Sequence, residues 1–183
     1  QVMEMFAVVD AQLGRLTALV NNAGVVDVAC RVDAMDFKRL RRMFDINVIG
    51  SMLCAREAVK RMSSLYGGAG GTIVNVSSAA SRLGGAGQYV DYAASKGAID
   101  TLTIGLAKEV AAEGIRVNAV RPGIIDTEIH ASGGQPDRAS ELAPTVPMQR
   151  PGGALEVAQT IVWLMSDQAS YVTGALVDVT GGR

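Results

Sequence analysis

The sequence predicts an α/β fold, a doubly wound parallel sheet of Rossmann type, and three observations lead there. Short apolar runs at residues 17–21, 72–76, 115–120 and 175–179 each end in turn-forming residues. They do not alternate strictly between apolar and polar, which suits strands covered on both faces. Between them lie longer stretches with apolar residues three and four apart, so helices alternate with strands as βα units. A length of 183 residues suits one compact domain and is short for two, so residues 1–183 are read as a single domain.

Taken in order, Val2, Met5, Phe6, Val9 and Leu13 mark a first helix over residues 2–13, closed by Gly14. Residues 17–21 form the first strand. Asp36 is placed as the N-cap of a long helical pattern that runs past Asp45-Ile-Asn47 to about Arg61. The glycine run 67–71 is a loop, and residues 72–76 are the second strand. A helix covers residues 88 to about 113 and stops at Gly114; the third strand, 115–120, ends at Pro122-Gly123. Residues 128–151 form a loop-rich excursion with Pro136, Pro144, Pro147 and Pro151 and no clear period, with room for a short helix. A last helix, 154–166, places Leu155, Ala158, Ile161, Val162 and Met165 on one face, and the strand 175–179 leads into Gly181-Gly182.

Seventeen Lys and Arg against 18 Asp and Glu leave a net charge of −1, so nothing points to nucleic acid or an anionic membrane. Cys30 and Cys54 show neither a metal spacing nor a disulfide framework, which fits a reducing, cytoplasmic setting. No run of about 18 apolar residues suggests a membrane span. The first residues, interrupted by Glu4 and Asp10 and without a basic lead, do not read as a signal peptide. His130, the only histidine, reads as a loop residue. Trp163 reads as packing against the sheet or a subunit neighbour, and Arg39-Leu-Arg41-Arg42 as a solvated helix face.

The sharpest motif is Tyr92-Ala-Ala-Ser95-Lys96. Four residues apart on a helix, the Tyr92 phenol and Lys96 ammonium share a face. A phenol of pKa about 10 is a poor base at neutral pH, and a neighbouring cation lowers that value. An isolated pair of this kind is as well explained as an incidental surface pair. Ser78 follows the second strand, where parallel sheets place reactive groups, although serines there also merely cap or turn the chain. Asn21-Asn22-Ala23-Gly24 either leaves space for a flat ligand or is a plain turn. Asn47, mildly unfavourable inside a helix, either diverts a backbone carbonyl toward water or is an exposed polar residue. Pro122-Gly123-Ile124-Ile125-Asp126-Thr127 offers a stiff turn, a close backbone approach and a hydroxyl.

These residues, with Val172-Thr173-Gly174 and Asp178-Val-Thr-Gly-Gly182, stand in the order found in the short-chain dehydrogenase/reductase family, which the chain resembles from about Leu13 to its last residue. The stretches 89–92 and 99–102 resemble its sugar and general alcohol dehydrogenases. The resemblance implies a metal-free, NAD- or NADP-dependent hydride transfer between a small alcohol and its carbonyl compound. The helices containing Asn47 to Arg61 and Tyr92 to Val110 have apolar outer faces that can pair across a two-fold, so a homodimer or homotetramer is expected. The resemblance also implies Tyr92 as general acid/base, Ser78 orienting the substrate oxygen, Lys96 on the nicotinamide ribose and Asn47 holding a water. Asn21, Ala23 and Gly24 would line the adenosine side, and Pro122, Gly123, Ile125 and Thr127 the nicotinamide side. The family spacing from serine to tyrosine is one residue shorter, so Ser78 implies an insertion in the 84–87 loop, with Ser77 as the fallback.

Members of the family begin with a strand and a T-G-x-x-x-G-x-G phosphate loop, and no such loop occurs here. About three strands of a seven-strand sheet are therefore expected to be missing, with residues 17–21 left as an apolar edge. The 183-residue chain is accordingly expected to bind NAD(P)H more weakly than micromolar in a titration, and to self-associate in sedimentation. Two rivals remain: a 3-oxoacyl-carrier-protein reductase, and a non-catalytic scaffold that has lost dinucleotide binding.

Overall fold

The computed structural model describes residues 1–183. Helix α1 (Val2–Leu13) leads to strand β1 (Ala18–Asn21), then α2 (Phe37–Phe44), a π-helical segment (Asp45–Gly50) and α3 (Ser51–Met62). Strand β2 (Gly71–Val76), the short α4 (Ala80–Leu83), α5 (Val90–Val110) and β3 (Ile115–Pro122) follow. The chain continues through β4 (Ile125–Asp126), α6 (Ile129–Ser132), α7 (Arg138–Leu142), β5 (Gly152–Gly153), α8 (Ala154–Met165) and β6 (Leu176–Val179). The excursion thus holds two short helices.

Four strands pair in parallel in the order β1-β2-β3-β6, with Asn21 opposite Asn75, Val74 opposite Asn118 and Val120 opposite Val177. Strands β4 and β5 form a separate parallel pair. Successive strand residues point to opposite faces, and both faces are covered. Ile73, Ile115 and Val117 pack with Phe6 of α1, Ala58 and Met62 of α3, and Ala107 and Val110 of α5. Their neighbours Val74 and Val120 pack on the other side with Val157 and Leu164 of α8. Burying one such side chain contributes about 1.5–3 kcal/mol, so two apolar faces per strand hold the sheet between its helices. Strand β1 pairs only with β2, and its Val20 is exposed.

Local signals explain the ends of the elements. Asp36 caps α2 by accepting the Arg39 backbone N–H at 2.7 Å. At the turn into β2, Gly70 has φ +80° and faces the Gly114 carbonyl so closely that a Cβ would collide with it.

Two packing expectations need correction. In α8, Leu155 and Val162 are 69% and 64% exposed, whereas Leu164 is fully buried and Val157 nearly so. The helix carries apolar residues on two sides, and the row containing Val157, Ile161 and Leu164 meets the sheet. Trp163, 40% exposed, lies on the outer side and does not pack against the sheet. The arginine cluster is likewise not wholly solvated: the Arg39 side chain is 11% exposed and ion-paired with the completely buried Asp91 carboxylate at 2.7 Å. The partner stands 52 residues away in sequence, where helical periodicity carries no information about it.

Candidate active site

The carboxyl ends of β2 and β3 and the turn after β1 open into a cleft of about 1410 Å³, as parallel sheets do at that edge. Its wall includes Ala23, Gly24, Ser78, Tyr92, Lys96 and residues 122–130. Helix α5 brings Tyr92 and Lys96 to it one turn apart, and the chain leaving β2 brings Ser78. Lys96 Nζ lies 5.6 Å from the Tyr92 ring centroid and donates to the Val76 carbonyl at 2.7 Å. Ser78 Oγ accepts the Ala80 backbone N–H at 3.1 Å. Ser77 is turned away: its hydroxyl donates to the Lys96 carbonyl at 3.1 Å, tying β2 to α5. Of the two serines, Ser78 faces the phenol.

The electrostatics depart from the sequence expectation. Burial raises the Tyr92 pKa, and the Ser78 hydroxyl, not Lys96, opposes that rise. Lys96 sits over the ring with its Nζ bonded to Val76, and burial decides the direction of the Tyr92 shift. Burial also lowers Lys96 to about 8, against the pull of Asp100, one turn further along α5. The folded value lies below the ordinary 10.5, so the unfolded chain binds more protons between pH about 8 and 10.5. Stability therefore rises with pH across that window, by about 3 kcal/mol at 1.36 kcal/mol per unit. Urea unfolding of wild type and Lys96→Met at neutral pH and near pH 10 should show wild type gaining on the variant; parallel profiles would refute it.

Asn47 is buried within the π-helical segment, a distortion frequent at functional sites. Its Oδ1 accepts the Val25 N–H at 2.8 Å, and its Nδ2 donates to the Val25 carbonyl and Ser95 Oγ, each at 3.0 Å. The side chain thus clamps the backbone of Val25, and the Asn47 carbonyl accepts the Ser51 hydroxyl at 3.1 Å. Asn21 donates to Asn75 Oδ1 at 2.9 Å and to the Ser51 carbonyl, and Asn75 donates to Thr103. Its amide joins strands and helices and does not line the cleft. Gly24 does: a Cβ there would sit 3.4 Å from both Lys96 Nζ and Asn47 Oδ1.

On the opposite wall, the missing side chain of Gly123 makes room for Thr180, whose Cα a Cβ would approach to 2.8 Å. This glycine admits the turn after β6, so its freedom is not a gap left for a ligand. Ile125 packs into the α8-facing core and, with Pro122 and Thr127, also borders the cleft. His130 Nε2 donates to the Ile125 carbonyl at 2.9 Å and anchors α6. Sequence reasoning missed the set formed by Tyr89, Gln135 and Arg138: Tyr89 and Arg138 line the cleft, and Gln135 joins them behind it. No period places them, since their mutual contacts depend on how the excursion folds back over α5.

A family profile described as enoyl-(acyl carrier protein) reductase matches residues 1–183. The chain is 60% identical over 183 residues to the uncharacterized oxidoreductase YgfF of Escherichia coli (strain K12), covering all of this chain and 74% of that protein. It is 40% identical over 172 residues to cis-4-hydroxycyclohexanecarboxylate dehydrogenase of Sinomonas cyclohexanicum, covering 94% of this chain and 67% of that protein. Among solved structures, ElxO with NADP bound superposes with a TM-score of 0.87 at 33% identity, covering all of this chain and 73% of ElxO. A 3-ketoacyl-(acyl-carrier-protein) reductase from Brucella melitensis complexed with NADH reaches 0.91 at 27% identity, with the same coverages. Sequence, sheet topology and relatives agree: the chain belongs to the short-chain dehydrogenase/reductase family of oxidoreductases.

Proposed function

We propose that this protein interconverts a small secondary alcohol and its ketone with NAD or NADP, as the sugar and general alcohol dehydrogenases of its family do. The observation that carries the reading is the convergence of Ser78, Tyr92 and Lys96 on one wall of an open cleft. Glucose and ribitol dehydrogenase of Daucus carota, 37% identical over 169 residues, supports the sugar-alcohol branch.

The cleft suits a nicotinamide ribose: Lys96 uses one N–H on Val76, leaving two donors, and Gly24 keeps side-chain bulk away from that ammonium. When bound, NAD(P) supplies the hydride acceptor or donor. Lys96 would hold the ribose hydroxyls; Ala23 and Gly24 would line the adenosine side, with Asn21 bracing the strand behind them. Pro122, Gly123, Ile125 and Thr127 would shape the nicotinamide side. Ser78 donates its hydroxyl hydrogen to the substrate oxygen and fixes its position. Tyr92 would take the alcohol proton as the phenolate in oxidation, becoming the phenol, and as the phenol would give that proton to the carbonyl oxygen in reduction. Lys96, charged below pH about 8, counters the phenolate as it forms. Asn47, by clamping Val25 beside the cleft, would help position a water that passes the proton outward.

A panel of sugars, polyols and cyclic secondary alcohols assayed with NAD⁺ and NADP⁺ at concentrations raised until the rate saturates, above the weak affinity expected of this chain, tests this; no nicotinamide reduction with any of them would overturn it. The acyl-carrier-protein reading has the Brucella fold match in its favour, and reduction of an acetoacetyl thioester faster than any simple ketone would select it. We further propose that the enzyme works in the cytoplasm as a homodimer or homotetramer. No helix is long and apolar enough to cross a membrane, and Phe37, Ile49, Met52 and Ile104 leave apolar surface on the outer helices.

A further inference from the structure

The cleft carries one fixed cation that the chemistry above does not use. Arg138, at the start of α7, lines it. Its guanidinium donates to Gln135 Oε1 at 2.6 Å and to Gln88 Oε1 at 3.0 Å, and lies 5.1 Å from the Tyr89 ring centroid. Gln135 Oε1 is itself held by the Tyr89 hydroxyl at 2.9 Å. Every partner in this set is neutral, and Arg138 forms no ion pair. Elsewhere in the same cleft Arg42 is neutralised by Asp27 at 3.6 Å. Lys96 is already assigned, and the Arg183 side chain has no bonds to fix it. Two of the five guanidinium N–H groups are used, which leaves donors for a further acceptor.

A guanidinium oriented by two amides and a ring, yet left without a counter-charge, is prepared for an anion that comes and goes. We propose that Arg138 anchors a carboxylate carried by the substrate, so that the preferred substrates are hydroxy and oxo acids. The inference rests on the alcohol–ketone reading of the same cleft. The planar fork matches a carboxylate with two parallel N–H···O bonds, and such charge-assisted bonds exceed neutral ones. The exposed carboxylates of Asp126 and Glu128 line the cleft too, but neither pairs with Arg138, and solvent screens them. The excursion therefore selects substrates by charge, while Ser78 and Tyr92 handle the reacting oxygen.

Calorimetric titration of the chain with cyclohexanecarboxylate, its uncharged carboxamide and inorganic phosphate tests the assignment without needing turnover. The carboxylate should bind at least about tenfold tighter than the carboxamide. Arg138→Gln should erase that preference, and Arg138→Lys, which keeps the charge but not the fork, should retain part of it. Equal affinities for acid and amide in wild type, or a preference that survives in Arg138→Gln, would overturn the proposal. Phosphate binding more tightly than the carboxylate would overturn it in favour of a phosphorylated substrate. Turnover of neutral alcohols with no carboxylate preference sinks this inference alone. A carboxylate preference without turnover of any alcohol sinks the dehydrogenase reading and leaves the anion site standing.

Discussion

Tyr92→Phe should lower kcat for secondary-alcohol oxidation in the NAD(P)-loaded enzyme by about 10²- to 10⁴-fold, the usual contribution of a positioned acid/base. The substitution removes one oxygen and keeps the ring that Lys96 overlies. Packing along α5 is therefore preserved, and KM and the melting temperature should change little. The loss falls on kcat because the proton has no other acceptor at that point. Ser77 is bonded to the Lys96 carbonyl and His130 to the Ile125 carbonyl, so neither replaces the phenol. Burial holds the Tyr92 pKa above its ordinary value, so in wild type oxidation should accelerate with rising pH as the phenolate becomes accessible. The variant should lack that limb. A drop smaller than about tenfold, or an unchanged pH profile, would show that the proton leaves by another route.

Arg39→Ala should destabilise the fold by about 3–5 kcal/mol, although Arg39 belongs to a cluster that reads as surface. Its guanidinium donates to both Asp91 oxygens, at 2.7 and 3.3 Å, and to the Val28 carbonyl at 2.6 Å. The Asp91 side chain has no exposed area. Removing the arginine leaves a buried carboxylate with only the amino end of α5 to offset its charge, and that offset is worth at most about 2 kcal/mol. Against a typical total stability of about 5–15 kcal/mol, the loss is large. The double replacement Arg39→Met with Asp91→Leu should recover most of it, because removing both charges removes the desolvation penalty as well. Urea unfolding of the two single variants and the double variant measures the coupling. A loss below about 1 kcal/mol for Arg39→Ala would mean that the pair behaves as an exposed one. Asp91 immediately precedes Tyr92, so the single variant should also raise KM by loosening the first turn of α5.

The amino-acid sequence alone determined the alternation of strands and helices, because short apolar runs closed by turn residues and apolar spacings of three and four are local properties of the chain. It also determined that Tyr92 and Lys96 share a face, since four residues on a helix bring two side chains together whatever surrounds them. Chain order sufficed to place Ser78 at the end of β2. Tertiary structure alone decided which of two adjacent serines faces the phenol, because that depends on the Lys96 carbonyl capturing Ser77 from the neighbouring helix. It decided which of two apolar sides of α8 is buried, and that Asn21 braces Asn75 and Ser51 outside the cleft wall. It reversed the expected shift of Tyr92, since desolvation is set by everything packed around a group and no spacing along the chain encodes it. Arg39 and Arg138 show the same limit from opposite sides. Whether an arginine meets a buried acid or only neutral amides is settled by segments distant in sequence, and that partner determines whether its charge supports the fold or remains available to a ligand.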